Sequence, residues 1–455
     1  MVSGVSAFHA ELSRTKAVEL KISVIGCGYL GAVHAACMAE LGHEVIGVDV
    51  DRAKIDALEA GHAPFFEPGL PELLASANAS GRLRFTTDMS EVADADVHFI
   101  AVGTPQKKGE YAADLTYVDA AVTSLLPYLS DGSLVVGKST VPVGTAARLA
   151  ALVDTAPADA SLAWNPEFLR EGFAVKDTLG PDRLVYGVPA GEAGERATAI
   201  LDSVYEVALA RDTPRIVTDF ATAELVKVSA NAFLATKISF INAMAEIAEA
   251  TGADVTQLAD AIGHDARIGR RFLNSGLGFG GGCLPKDIRA FRARGEELGL
   301  GKSLAFLGEV DAINLRRRDR MVELTREALG GSLDGKHVAV LGLAFKPDSD
   351  DVRDSPSLDV ATRLRAEGAI VVATDPEAIE TSRRLHPELD YVESAIEAAA
   401  GADAVVVLTE WKQYRELTPA DLSGTNGQVI LDGRNCLDPK LWRDAGWVYR
   451  SLGRP

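Results

Sequence analysis

Between Lys21 and about Thr218, short apolar runs alternate with amphipathic stretches, and no other feature restricts the fold as much. The runs are Ile22–Ile25, Glu44–Val48, Val97–Val102, Leu134–Gly137, Ser161–Trp164 and Leu184–Val188. Brief Val- and Ile-rich runs set between helical segments predict a parallel sheet with helices on both faces. The pattern then changes. From Asp219 to about Ala250 there is neither Gly nor Pro, which predicts one long helix, with further helices over Asp254–Ile262 and about Ser303–Leu329. Beyond a glycine-rich boundary at Gly330–Gly335 the α/β pattern returns at His337–Leu343, Ala369–Thr374, Ala404–Thr409 and Val429–Asp432. The expected organisation is a tail over residues 1–20, an α/β domain over 21–218, a helical connector over 219–330 that could carry a dimer interface, and a second α/β domain over 331–455. A chain of 455 residues exceeds one ordinary core, as this division requires.

The net charge of −19 argues against nucleic acid or an anionic membrane as partner, but not against a small anionic ligand bound at a helix N-terminus. Four cysteines (Cys27, Cys37, Cys283, Cys436) are too few and too scattered for a disulfide framework or a zinc site. A reducing cytoplasm fits, and no metal is expected. Glu11 and Arg14 interrupt the first twenty residues, so they do not read as a signal peptide. No uncharged apolar run reaches about 18 residues, so no membrane span is expected.

Gly26-Cys27-Gly28-Tyr29-Leu30-Gly31 follows the first predicted strand and opens a helix over Ala32–Leu41. Gly26 allows the tight turn, Gly28 lets the backbone approach a pyrophosphate, and Gly31 allows close helix packing. A second strand ends at Val48-Asp49, where an acid would hold the adenosine ribose hydroxyls. With Asp51 nearby, a 2′-phosphate would be repelled, which favours NAD over NADP, although Arg52 weighs the other way. Cys27 and Cys37 are read as packed thiols.

The run Gly278-Phe279-Gly280-Gly281-Gly282-Cys283-Leu284-Pro285-Lys286-Asp287 puts three glycines before a thiol and two charges after it. Such a loop either exposes a nucleophile, with room at the sulfur for a substrate carbon and a flat ring, or is a glycine turn around a buried cysteine. Other polar segments end predicted strands: Ser139–Gly144, and Asn165–Gly172 with Glu167 and Glu171 four apart. Lys227 and Asn231, also four apart, share a face of the long helix.

Taken together, these segments resemble the UDP-glucose/GDP-mannose dehydrogenase family from about Lys21 to about Arg450. The resemblance also includes Phe66–Leu70, Gly103-Thr104-Pro105, Glu224–Asn231, Arg267-Ile268-Gly269, Gly342–Pro347 with Asp351–Ser355, and Asp432-Gly433-Arg434. It implies an α/β fold of two Rossmann-like, doubly wound domains joined by a long central helical connector. It further implies two successive oxidations of one sugar carbon by NAD, acting on UDP-glucose or, alternatively, GDP-mannose or a UDP-N-acetyl-hexosamine, in a homodimer. Cys283 would form a thiohemiacetal and then a thioester. Lys227 and Asn231 would serve the oxyanion and the alcohol proton, while Asp287, Thr140 and Glu167 would hold or activate water. Tyr29, Leu30, Thr104, Thr140, Glu171 and Arg353 join Gly26, Gly28, Gly31 and Asp49 at the cofactor. Glu167, Phe168, Leu169, Lys227, Asn231, Phe279, Gly280, Lys346 and Arg434 match substrate positions, and Arg267 matches an arginine reaching the partner subunit's substrate. Gly282 departs from the serine common in the family. Without the resemblance, a two-electron hydroxyacid dehydrogenase, which needs no thiol, and a non-catalytic NAD-binding protein remain open.

Overall fold

The computed structural model describes residues 19–454, so all but the last two residues of the expected tail lie outside the described residues. Eight strands form the first sheet: β1 (Lys21–Ile25), β2 (Glu44–Val48), β3 (Leu83–Thr86), β4 (Val97–Ile100), β5 (Leu134–Gly137), β6 (Ser161–Trp164), β7 (Leu184–Gly187) and β8 (Arg215–Thr218). Their order is β3-β2-β1-β4-β5-β6-β7-β8. Pairing is parallel except between β6 and β7, which meet antiparallel at Trp164 and Gly187. The sheet is therefore mixed rather than wholly parallel, with β7 and β8 as a reversed pair at one edge. Alternation along β5 sends Leu134 and Val136 into one apolar cluster and Val135 into another, so both faces are covered.

The second sheet is parallel throughout: β9 (His337–Leu341), β10 (Ile370–Thr374), β11 (Asp390–Tyr391), β12 (Ala404–Val407), β13 (Val429–Asp432) and β14 (Val448–Ser451), in the order β11-β10-β9-β12-β13-β14. In each sheet the strand order reverses beside the first strand, at β1/β4 and at β9/β12. Open α/β sheets bind ligands at the carboxyl ends of strands flanking such a point.

Five helices matter for the site: α1 (Tyr29–Glu40), α2 (Thr145–Val153), α3 (Phe220–Thr251), α4 (Leu284–Glu297) and α5 (Phe306–Ala328). The chain divides into two compact units between Ser229 and Ala230, inside the 32-residue α3. In the second unit, α3 buries Ala232 and Ala235 against Phe279, Ile288, Leu307 and Val310, and Ile241, Ala245 and Ala248 against Val255, Ala259 and Leu273. Alanines on the contact face let neighbouring chain approach closely. No helix among the described residues is long and apolar enough to cross a membrane.

Candidate active site

The glycine loop after β1 is shaped from both sides. Gly26 has φ +94°, and a Cβ there would stand 2.6 Å from Val102 Cγ1. A Cβ on Gly31 would lie 1.8 Å from the Gly26 carbonyl oxygen, so α1 packs on its own loop only with glycine there. Around Gly28 nothing lies within 4 Å. One glycine is demanded by the turn, one by packing, and one borders open space at the start of a helix, which fits the pyrophosphate of a dinucleotide.

Asp49, at the end of β2, accepts a hydrogen bond from Cys27 N (2.8 Å) and pairs with Lys54 Nζ (2.9 Å). It thereby braces the loop from the side where a ribose would sit. Asp51 instead caps the helix Arg52–Glu59, accepting from Ala53 N and Lys54 N. Leu30 packs into the core, and the Tyr29 hydroxyl donates to Glu67. Glu67, buried, also accepts from Gly172 N (2.7 Å) and Ala174 N (2.7 Å), so it ties the loop carrying Glu171 to α1. Thr104 Oγ1 donates to the Thr140 carbonyl (2.8 Å), and Ser139 Oγ donates to the Val102 carbonyl (2.6 Å). The loops after β4 and β5 are thereby laced together.

Glu167, after β6, accepts from Lys227 Nζ at 2.8 Å and from Leu169 N at 2.6 Å. Lys227 is only 5% exposed, so this ion pair is screened little by water. The Arg183 guanidinium lies 3.6 Å over the Phe168 ring, while Leu169 packs against the core.

In the second unit Cys283 is exposed at the N-cap position of α4, where the positive end of the helix dipole favours negative charge. The buried-cysteine reading of this loop is thereby excluded. The thiols of Cys27 and Cys37 are buried, and burial pushes both up well above the ordinary thiol range. One turn into α4, buried Asp287 accepts from Asn231 Nδ2 (2.7 Å) and pairs with Lys286 Nζ (2.7 Å).

The glycines before the thiol do not stand beside empty space. A Cβ on Gly280 would meet the Asp354 carbonyl at 2.5 Å, on Gly281 the Phe345 ring at 2.8 Å, and on Gly282 the Arg353 guanidinium carbon at 2.3 Å. The room predicted for substrate and cofactor at these three positions is taken by the chain's own segment 345–354. Arg353 is paired with Asp351 (2.7 Å), and its carbonyl accepts from Gly281 N (2.9 Å).

Phe279 turns its ring into the apolar cluster beneath α3, and Asn314 grips its backbone from both sides (2.6 and 2.9 Å). Arg434 donates to the carbonyls of Leu408, Gly278 and Phe345 (2.7, 3.0 and 3.1 Å), acting as a clamp on the thiol loop. Lys346 Nζ lies 5.3 Å from the centre of the Phe345 ring. Arg267 is exposed and paired with Asp265. The structure therefore brings Glu167 to Lys227, Asn231 to Asp287 and Thr104 to Thr140, and it gives Phe279 and Arg434 partners in the second unit's own loops.

Sequence reasoning gave no role to three residues that hold these loops. Glu224, buried, accepts from Gly144 N and Ala146 N (2.7 Å each) and so caps α2 behind the Thr140 loop. Lys138 and Asn165 bond to each other behind Glu167 (3.0 Å). A buried charge type at 138 and 224 was the available signal. Among the described residues no group of His, Cys, Asp and Glu is arranged to hold a metal.

Comparison with known proteins is consistent along the chain. The UDP-glucose/GDP-mannose dehydrogenase description fits three consecutive parts: its NAD binding domain over residues 20–208, its central domain over 221–316 and its UDP binding domain over 339–439. The UDP-glucose 6-dehydrogenase of Rhizobium meliloti (strain 1021) is 43% identical over 440 residues, 96% of this chain and 100% of that protein. A UDP-glucose dehydrogenase from Pyrobaculum islandicum superposes with TM-score 0.87 at 41% identity, covering 97% of this chain and 99% of its own. A UDP-D-ManNAc dehydrogenase from Pyrococcus horikoshii gives 0.83 at 26% identity, covering 96% and 99%.

Proposed function

Because the chain belongs to the UDP-glucose/GDP-mannose dehydrogenase family, we propose that it is a UDP-glucose 6-dehydrogenase, oxidising C6 of UDP-glucose to the carboxylate of UDP-glucuronate. The preference for UDP-glucose over an N-acetylated sugar nucleotide rests on the higher identity to proteins named for the former. NAD, for which the family's first domain is named, would supply the hydride acceptor for each of the two oxidations. Gly26–Gly31 at the α1 N-terminus, Asp49 and Thr104 would hold it.

The carrying observation is Cys283 exposed at the start of α4, with Asp287 one turn behind it and anchored to Asn231. An aldehyde gives up a second hydride readily only after a nucleophile makes its carbon tetrahedral. Cys283 sulfur adds to the carbonyl carbon, the oxygen takes up a proton, and the thiohemiacetal is oxidised to a thioester. Water then attacks, the C–S bond breaks, and the carboxylate leaves the thiol free. Lys227 and Asn231, one turn apart on α3, serve the oxygen of alcohol and intermediate: Lys227 can pass a proton to Glu167, and Asn231 can donate a hydrogen bond. Asp287, Thr140 and Glu167 orient the hydrolytic water.

A homodimer is part of this reading. Phe233, Phe240 and Ile247 are exposed at seven-residue intervals on α3, an apolar stripe of the kind that packs against a second helix. Sedimentation equilibrium reads the mass directly.

The test is stoichiometric. Wild type should form two NADH per UDP-glucose, whereas Cys283→Ser should hold a covalent adduct and turn over little. One NADH per sugar, or full turnover by Cys283→Ala, sinks the proposal.

A further inference from the structure

Lys138 leads directly into the Thr140 loop, and its side chain reaches Asn165 and Tyr205. The ammonium is buried and, among the described residues, has no carboxylate partner in direct contact. It donates to Asn165 Oδ1 (3.0 Å) and to the Tyr205 hydroxyl (3.2 Å), and it lies 5.7 Å from the centres of the Phe99 and Tyr205 rings. Tyr205 in turn donates to Asn165 Oδ1 (2.6 Å), and Asn165 Nδ2 donates to the Val185 carbonyl (2.9 Å). A buried cation held by neutral groups alone is costly, and an apolar side chain of similar size would pack there at less cost. Stability therefore does not account for a lysine.

Beside it lies a cavity of ≈ 40 Å³, lined by His34, Lys138, Asn165, Glu167, Arg183 and Tyr205 among others. That volume has room for about two or three waters. Neither ring nitrogen of fully buried His34 has a hydrogen-bond partner among the described residues. The cavity thus joins the ammonium to the back of the loop that carries Glu167.

We propose that Lys138 is a positioning residue: acting through Asn165, its buried ammonium fixes the Glu167 loop and keeps positive charge behind the Glu167–Lys227 pair. The inference rests on the reading of Glu167 and Lys227 as site residues. The groups facing Lys138 are Glu167 after β6, Lys227 on α3, Tyr205 after the helix Glu192–Val204, and His34 on α1, which burial keeps neutral, while Asp177, Asp182 and Arg183 line the same cavity. Burial lowers Lys138 to about 8, with Glu167 opposing the shift and Lys227 adding to it. The ammonium, and with it the positioning, is complete below that value and lost above it.

The experiment is the ratio of wild-type to Lys138→Met kcat across pH, in which the titrations common to both enzymes cancel. Below the Lys138 ionisation the ratio should be on the order of 10 to 100, with KM for NAD changed less than about twofold. It should fall toward one about two pH units above that ionisation. Tyr205→Phe removes one acceptor of the ammonium and should move the midpoint to lower pH. If Lys138→Met does not fold, Tyr205→Phe carries the test: losing its own bond to Asn165 lowers kcat by a factor that does not change with pH, and the earlier deprotonation of Lys138 should add a further fall as pH rises. The series is run on whichever of UDP-glucose, UDP-N-acetyl-mannosamine and GDP-mannose the wild-type enzyme oxidises, so a wrong substrate assignment is separate from a wrong role for Lys138. Amide exchange over Asn165–Phe173, measured without substrate, should be faster in Lys138→Met and reads the hold on the loop even if none of the three is oxidised. A ratio near one throughout, a loss that does not change with pH, or unchanged exchange overturns the proposal.

Discussion

Glu224→Gln is the change that best isolates how the Thr140 loop is held. In the native chain both carboxylate oxygens accept backbone N–H groups at 2.7 Å, from Gly144 and Ala146, at the exposed-donor end of α2. Glutamine keeps the shape and one acceptor but turns an NH2 toward the other N–H. A hydrogen bond to a charged group contributes about 1.5–3 kcal/mol. Charge at a helix N-terminus adds about 0.3–1 kcal/mol. The expected loss is therefore about 2–4 kcal/mol, since one bond and the charge both go. For a unit of this size each kcal/mol lowers Tm by about 2–4 °C, so a central value near 3 kcal/mol predicts a fall of about 9 °C. Calorimetry should place the loss in the transition that NAD shifts upward, because NAD binds the first unit. Turnover should fall as well, since Ser139–Gly144 leads into the capped helix. A Tm within about 1 °C of wild type would refute the cap.

Two further outcomes follow from buried or crowded positions. Gly282→Ser needs the Arg353 guanidinium to swing away, and the pair it leaves with Asp351 is exposed on the arginine side, so stability should drop by at most about 1 kcal/mol with activity retained. Melting curves with kcat measure both, and a loss of most activity would contradict this. His98 is held at about 4 by burial, with Ser23 at one ring nitrogen (2.8 Å). Its unfolded form takes up a proton first, so its contribution to stability is intact above about 6.5 and declines as pH falls, by about 1.4 kcal/mol per unit, until about pH 4. Denaturation series across that range should show this share on top of that of buried His34, and His98→Gln should lower the slope by about 1.4 kcal/mol per pH unit.

Much of the fold was legible because its signals are local. Val97–Ile100 and Leu134–Gly137 are buried on both faces and read as unbroken apolar runs, and α3 declared itself by thirty-odd residues without Gly or Pro. Arg215–Thr218 was not singled out as a strand: it has four mostly exposed residues at an edge, with no alternation to detect. The reversal of β7 against β6 was hidden for a similar reason, since one residue pair decides it. In the site, Cys283, Lys227 and Asn231 stood out through spacing along the chain. Glu224 did not, because its partners lie about eighty residues away. A guanidinium suits a phosphate and a cluster of carbonyls equally well, so the clamp that Arg434 makes on three carbonyls was not legible from its place in the sequence. Glycine spacing likewise says that a side chain is missing, not what takes its place.

Phe345, Arg353 and Asp354 fill the places that side chains at 281, 282 and 280 would take. Two of these walls are stiff, a backbone carbonyl at 280 and an aromatic ring at 281, and the third is the movable end of an arginine. At 281 a side chain would also need the positive φ of +82° that glycine takes readily, whatever the ring at 345, whereas at 282 the arginine at 353 has only to swing aside. Anyone transplanting the cysteine loop into another scaffold must therefore carry residues 345–354 with it, or the thiol arrives without the wall it was built against.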